Sequence, residues 1–538
     1  MKRRQTATSR DELVWGWGSF ATGPLNSAIA GGLVVRVMIM LRMYELWFGT
    51  FLVEGLLFVV PYLWTYRRAV AIFLSIIIVV SSGWLCMWLG LLAGLPFGTL
   101  AIFRVGNLAR IIKNRMHADY LKRAAGRTST ALFLFHIVTG VFIILVSAIG
   151  FDQAIRLLIL VQMLVAGSLL ISTVINLRRL RFKPSNMYLS DNELPTVTVA
   201  IPARNETVGL QECLNSILAN DYPKLEIIVL DDCSQEATAD IIKKFAHDGV
   251  RFVQGEPPAE RWLAKNQAYQ QLYEASSGSL ILFCGVDVRL GPQTIRSMVN
   301  LMYSRDKSML SVLPIRSVSS PMDAMIQPMR YWWEIAPPRK LFNRPPVLST
   351  CWMIGRDDIQ RQGGFASMSH AILPEGFFAR DLIKTNKYSF ARSSGELDVK
   401  TSKSFSEQYK TAIRTRYPQI RRRPEWALLI TILNLTFFLS PFLFALVSPW
   451  TDIINPWQVV STCVILTIIH VQIIKVSDPA NSLFALLTFP IVAASELAVG
   501  YISMVQYEFF TIEWKDRNIC IPVMHVHSHL PSVSDSAR

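Results

Sequence analysis

A single block of mixed polarity, residues 195–426, lies between two strongly apolar flanks and opens with Thr196-Val-Thr-Val-Ala-Ile-Pro-Ala-Arg-Asn-Glu206. The β-branched alternation from Thr196 to Ile201 reads as a buried strand, which Pro202 stops before the polar Arg204, Asn205 and Glu206. Leu210, Cys213, Leu214, Ile217 and Leu218 then recur at helical spacing, and Tyr222-Pro223 ends that helix. Residues 225–230 are continuously apolar, as in a strand covered on both faces of a parallel sheet, and they run into Asp231-Asp-Cys-Ser234. Open α/β sheets bind ligands outside the carboxyl ends of such strands. The pattern therefore points to a nucleotide-handling sheet rather than to a transporter.

The flanks place this block at a membrane. The chain has 538 residues, 51% of them hydrophobic, and a mean hydropathy of +0.33, too apolar for a soluble enzyme of this length. A helix crossing ~30 Å of hydrocarbon needs ~20 mostly apolar residues. Stretches 45–64, 69–95, 131–150 and 154–177 qualify before the block, and 427–449, 456–475 and 482–507 after it. The expected organisation is an interfacial or cytoplasmic segment (1–44), four spans with a basic loop (45–184), the α/β domain (195–426), about three spans or re-entrant helices (427–507) and a tail (508–538). The last span contains Pro490, which is compatible with a full crossing or with a re-entrant helix.

Charge gives the orientation. The formal net charge is +15, but the basic residues cluster beside apolar spans, as in Arg104, Arg110 and Lys113 and again in Arg178, Arg179 and Arg181. That bias fits cytoplasmic loops, so the domain is expected to face the cytoplasm from the cell membrane, with no nucleic acid as partner. Only Tyr66-Arg-Arg68 runs against it. Asp11 and Glu12 precede the first long apolar run, which disfavours a removed signal peptide. Seven cysteines without paired spacing argue against disulfides and a thiolate zinc site. The spacing in His525-Val-His-Ser-His529 is metal-like but has no partners nearby in sequence. Glu54, His136, His470 and Glu496 fall inside expected spans, where ionisable groups either mark a pathway or bond between helices.

Beyond the first strands, further motifs occur in order: Arg261-Trp-Leu-Ala-Lys-Asn-Gln-Ala268, Leu280-Ile-Leu-Phe-Cys-Gly-Val-Asp287, and Cys351-Trp-Met-Ile-Gly-Arg356 running on to Gly363-Gly-Phe365. Together with the opening segments these resemble family 2 glycosyltransferases of the GT-A fold, over roughly 230 residues. The flanking spans suit the membrane-integrated members, which glycosylate lipids or build polysaccharides. The resemblance implies a polytopic α-helical membrane protein with an inserted cytoplasmic GT-A domain.

The resemblance also assigns roles. Asp231 and Asp232 would accept hydrogen bonds from the nucleoside, their alternative being to cap the helix near Gln235. Pro202, Arg204 and Glu206 would shape the same donor pocket, and Lys265 would balance the diphosphate charge. Asp287 would hold Mg2+ or Mn2+ on the diphosphate, although the family's paired aspartate is here Gly285. The catalytic-base region reads Leu373-Pro-Glu-Gly-Phe-Phe-Ala-Arg-Asp-Leu382, with Gly376 where the family places an aspartate. Glu375 is then the candidate base, with His370 and Asp381 as fallbacks.

The processive glutamine-x-x-arginine-tryptophan signature is partial: Gln419 and Arg422 are kept, Arg423 replaces the tryptophan, and Trp426 comes later. Arg422 or Arg423 would clamp phosphate bidentately or merely stop the chain before the next span. Met329-Arg-Tyr-Trp-Trp-Glu-Ile-Ala-Pro-Pro-Arg-Lys340 reads as an interfacial element near a lipid acceptor, or as core packing. The implied activity is a hexosyltransferase moving one sugar from a nucleotide-sugar, UDP-linked, to a membrane lipid with inversion. The competing readings are a degenerate nucleotide-binding scaffold, which Gly285 and Gly376 would explain, a processive polysaccharide synthase, and a transporter.

Overall fold

The computed structural model describes residues 149–181, 189–259, 262–317, 320–321, 327–338, 345–369, 371–420, 424–509, 512–514 and 517–518. The expected spans 45–64 and 69–95 and nearly all of 131–150 lie outside these residues, as do His370, Arg422, Arg423 and the histidine tail. Divisions at Ser168/Leu169, Arg422/Arg423 and Leu466/Thr467 separate the chain into two compact units.

After helix α1 (Phe151–Leu180), the chain runs β1 (Val197–Ala203), α2 (Val208–Leu218), β2 (Leu225–Asp231), α3 (Thr238–Lys244), β3 (Val250–Gln254), α4 (Ala264–Ala275), β4 (Leu280–Cys284) and β5 (Val288–Leu290). It continues through α5 (Thr294–Ser304), β6 (Met309–Leu313), β7 (Ile315–Arg316), α6 (Gln327–Ile335), β8 (Cys351–Gly355), α7 (Arg356–Arg361), α8 (Glu375–Leu382), β9 (Tyr388–Arg392), β10 (Val399–Thr401) and α9 (Phe405–Gln419). The four later helices are α10 (Pro424–Asn434), α11 (Ser440–Val447), α12 (Pro456–Ser477) and α13 (Ala485–Phe509).

Seven strands form one mixed sheet in the order β3-β2-β1-β4-β8-β6-β9. From β1 the chain steps outward to β2 and β3, then returns to place β4 on the other side of β1, all four parallel. The switch of direction at β1 and β4 opens a crevice at their carboxyl ends, where such sheets bind ligands. β8 is antiparallel to both β4 and β6, which completes a mixed α/β domain of GT-A type. Because both faces are covered, the central strands are largely apolar, and every residue of β4 and β6 is buried. A small second sheet, β5-β10-β7, lies beyond β4 and brings residues around 400 back to the segment after position 284.

Among the described residues four helical segments are long and apolar enough to cross a membrane: Asp152–Leu180, Leu429–Trp450, Pro456–Ser477 and Ala485–Tyr507. They coincide with the four expected spans that the description reaches. The second is continuous through a π-helical turn, Leu435–Leu439, and α13 continues through Pro490 rather than breaking there. Tyr331 and Trp332 of α6 are buried, with Trp332 against Phe489 of α13 (ring centroids 5.6 Å apart), so this part of the aromatic segment packs in the core while Trp333 is exposed. His470 is buried beside Phe489 with Nε2 3.5 Å from Thr488 Oγ1, and Glu496 pairs with Arg416; both bond between helices.

Candidate active site

The carboxyl ends of β1 and β2 lie side by side, Ala203 in register with Asp231. Asp231 and Asp232 are both buried there; Asp231 Oδ1 accepts from the Ser234 amide at 3.3 Å, and the Asp232 amide donates to the Ala203 carbonyl at 2.8 Å. Neither caps α3, which begins at Thr238 without a side-chain cap. Arg204 Nη1 donates to the carbonyls of Asp232 (2.7 Å) and Cys233 (2.8 Å), tying the loop after β1 to the loop after β2.

Both loops are bent at a non-glycine residue with positive φ, Asn205 at +47° and Cys233 at +52°. Such backbone persists only where its surroundings hold it. Asn205 Oδ1 accepts from the Gln235 amide, Ser234 Oγ accepts from the Asn205 amide, and Thr238 Oγ1 exchanges hydrogen bonds with the main chain of Glu206. Gly255 closes the corner from β3: a Cβ there would fall 2.6 Å from the Asp231 carbonyl oxygen, so only glycine fits unchanged. Pro202, in register with Leu230, completes the end of β1.

A second cluster forms beyond β4. Asp287 Oδ2 accepts from Thr401 Oγ1 of β10 at 2.8 Å and lies 3.4 Å from Lys403 Nζ. Burial pushes the Asp287 carboxyl up, but the Lys403 charge and the Thr401 hydrogen bond outweigh it, and the group sits below its ordinary range. Asp287 Oδ1 occupies the space a side chain at Gly285 would need, 2.5 Å from an ideal Cβ. Lys403 is placed by the start of α9: Ser404 Oγ accepts from the Glu407 amide while Glu407 Oε2 accepts from the Ser404 amide, a capping box that fixes the turn immediately after Lys403.

Glu375, at the first turn of α8, is fully buried, and among the described residues neither carboxylate oxygen has a hydrogen-bond partner. Its Oε2 lies 4.0 Å from Lys265 Nζ of α4. Burial pushes the Lys265 ammonium down to about 8; Glu375 pulls it upward, while Arg414, Lys403 and Arg330 push it further down. The same ammonium lies 5.1 Å from the Tyr269 ring centre. Beneath these groups Tyr269, Phe283, Trp352, Phe365 and Phe378 make a continuous aromatic floor, with Phe283 stacked on Trp352 at 4.5 Å. A floor of this kind lowers the local dielectric and strengthens every charge interaction above it.

Two supports hold these groups in place. Asn266, next to Lys265, is fully buried and its Nδ2 donates to the carbonyls of Met368, Ser369 and Ala371, fixing the loop that leads to Glu375. On the other side, α9 carries Arg414 and packs along α13. Tyr507 Oη donates to the Arg414 carbonyl at 2.7 Å, and Ser503 Oγ accepts from the Tyr417 amide while bonding the Ile413 carbonyl.

The sequence-expected residues thus fall into two groups: Pro202, Arg204, Glu206, Asp231 and Asp232 at the β1 and β2 ends, and Lys265, Asp287 and Glu375 around the cation cluster. Asp381 is apart from both; it is more than half exposed and pairs with Lys384 on the surface of α8. Gly376 has room for a side chain, its ideal Cβ lying 3.6 Å from Val347. Thr401, Lys403, Arg414, Arg330 and Asn266 were not singled out by the sequence. Asn266 and Arg330 both stood inside segments already noted, so the adjacency of Asn266 to Lys265 and the cations among the aromatics at 329–340 were the available signals.

A divalent ion finds a poor set of donors here. Asp287 is a single carboxylate whose Oδ2 is already bonded by Thr401 and faced by an ammonium, and among the described residues no three acidic, histidine or cysteine side chains converge. These residues do not fit a protein-held Mg2+ or Mn2+, which asks for several oxygen ligands and no adjacent cation.

Residues 198–362 match the family described as Glycosyl transferase family 2. The glycosyltransferase AglE of Haloferax volcanii is 34% identical over 98 residues, which are 18% of this chain and 31% of that protein. The probable glycosyltransferase YdaM of Bacillus subtilis is 28% identical over 183 residues, 32% of this chain and 43% of that protein. The chain thus spans less than half the length of these curated relatives. Among solved structures, the mannosyltransferase PcManGT of Pyrobaculum calidifontis, in complex with GDP-Man and Mn2+, aligns with a TM-score of 0.38 and 16% identity, covering 63% of this chain and 97% of that one. The chain carries a family 2 glycosyltransferase domain.

Proposed function

We propose that this family 2 glycosyltransferase domain moves a single hexose from a nucleotide diphosphate sugar, UDP-linked, to a hydroxyl of a membrane lipid, with inversion. The observation that carries the reading is Glu375. A fully buried carboxylate with no hydrogen bond is a destabilising arrangement that folding alone does not favour. Beside a lysine and at the ligand-binding edge of the sheet, it has the properties of a base kept free for a substrate proton.

In this reading Asp231 and Asp232 meet the nucleoside, with Arg204 as a positioning residue that holds their loop, and Glu206 and Pro202 border the pocket. Lys265 faces the diphosphate. The acceptor oxygen attacks the anomeric carbon and its proton passes to Glu375; the bond from that carbon to the diphosphate breaks, and the electron pair leaves on the phosphate oxygen. The expected divalent ion on Asp287 has no step here, because its donors are otherwise engaged.

The four candidate spans support a lipid acceptor, and the basic residues flanking them support a domain facing the cytoplasm from the cell membrane. A scaffold without activity would have no use for a buried carboxylate left without a hydrogen bond among the described residues. Purified full chain incubated with UDP-sugars, or with GDP-sugars as a second donor class, and lipid extract should release nucleoside diphosphate, and Glu375→Gln should stop it. No turnover with any donor would sink the reading.

A further inference from the structure

Lys403, Arg414 and Arg330 all lie within Coulombic reach of Lys265, and among the described residues the carboxylates that face this group are Glu375, 4.0 Å from Lys265, and Asp287, 3.4 Å from Lys403. Cations that outnumber anions in a partly buried site repel one another, and burial adds to the cost. An anionic ligand relieves both. A nucleotide-sugar pyrophosphate bears one negative charge on each phosphate, and the departing diphosphate gains another, so this excess is of the sign and scale a donor would neutralise.

The arrangement at Asp287 is specific. One oxygen is bonded by Thr401 and faced by Lys403 at 3.4 Å; the other fills the space left by the missing side chain at Gly285. The carboxylate therefore orients an ammonium, and that ammonium is built in by the capping box that begins α9 and by β10 pairing with β5. Lys400 of the same strand is exposed and pairs instead with Asp398.

We propose that Lys403, with Lys265 and Arg414, holds the donor diphosphate and takes up its departing charge in place of a divalent cation, so that donor binding needs no metal. The inference rests on the transferase reading above.

Calorimetric titration of the purified full chain with UDP, and with GDP, in EDTA and in Mn2+ tests it, alongside Mn2+ alone followed by electron paramagnetic resonance. The expected result is equal diphosphate affinity in both buffers and an undiminished signal from free Mn2+. Lys403→Met is expected to weaken UDP about tenfold. Lys403→Arg, which keeps the charge and reports on folding, should retain binding, as should Lys400→Met. Binding that appears only with Mn2+, or Mn2+ capture abolished by Asp287→Asn, overturns the inference and leaves the transferase reading standing. Absence of diphosphate binding in both buffers overturns both.

Discussion

Glu375 Oε2 lies 4.0 Å from Lys265 Nζ, an ammonium beside a carboxylate that has no hydrogen bond among the described residues. The pair joins the two halves of the proposed chemistry, a proton acceptor and a phosphate-facing cation, in one partly buried contact. Each should respond separately to substitution.

Glu375→Gln removes the charge while nearly preserving the shape. Nucleoside diphosphate release is expected to fall by about 10²–10⁴-fold, the usual contribution of a general base, with donor affinity little changed. Because the substitution also leaves the Lys265 ammonium without its carboxylate among further cations, the midpoint of thermal unfolding should fall. Turnover that survives the change would exclude Glu375 as the base.

Donor affinity should depend on pH through Lys265. Its ammonium, pushed down to about 8 by burial, is charged below that pH and loses its proton as pH rises through it. UDP affinity is therefore expected to hold at pH 7 and to fall by about three- to tenfold by pH 9. The fold responds in the opposite sense: charging Lys265 costs more in the folded than in the unfolded chain, so its contribution to stability rises as pH climbs from about 8 towards the ordinary lysine value of 10.5. In Lys265→Arg, whose guanidinium stays protonated, the loss of affinity between pH 7 and 9 should disappear.

Gly285→Asp would restore the paired carboxylates that the family resemblance led us to expect. A Cβ at 285 meets Asp287 Oδ1 at 2.5 Å, so Asp287 must swing away from Thr401 and Lys403. Metal-free UDP affinity should drop by about fivefold or more, with Mn2+ restoring it as the new carboxylate supplies oxygen ligands. Unchanged affinity in EDTA would show that the position of Asp287 does not govern the phosphate site.

Arg416 and Glu496 join α9 to α13 as a nearly buried ion pair, Nε to Oε1 at 2.8 Å. Glu496→Ala leaves the guanidinium buried and unmatched and should destabilise the protein by about 3 kcal/mol. Replacing both by apolar residues of similar size, Arg416→Met with Glu496→Leu, should recover most of that loss. Thermal unfolding of the detergent-solubilised full chain distinguishes the single from the double variant.

Much of the donor side is written locally. Strand, helix and strand follow one another within about 35 residues of Thr196, and the Asp231-Asp232 pair ends β2 where the apolar run stops. The cation cluster is not local. Thr401 is 114 positions after Asp287, and it reaches that carboxylate only because β10 returns to pair with β5. Lys403 and Arg414 stand in an ordinary polar stretch whose role depends on that pairing. Arg204 shows the converse. Its place in a recognisable motif suggested contact with the donor, whereas its short hydrogen bonds go to two main-chain carbonyls of the neighbouring loop. Motif position located the residue, but the geometry of its loop determined what the guanidinium touches.

The attachment of α9 to α13 through Tyr507, Ser503 and Glu496 ties the helix bearing Arg414 to a candidate span. A helix seated in hydrocarbon takes its depth and tilt from the thickness of the bilayer around it. Through these bonds that depth would be passed to the segment carrying the phosphate-facing cations. Turnover of the reconstituted chain would then shift with the acyl-chain length of the host membrane, with donor, acceptor and sequence held constant.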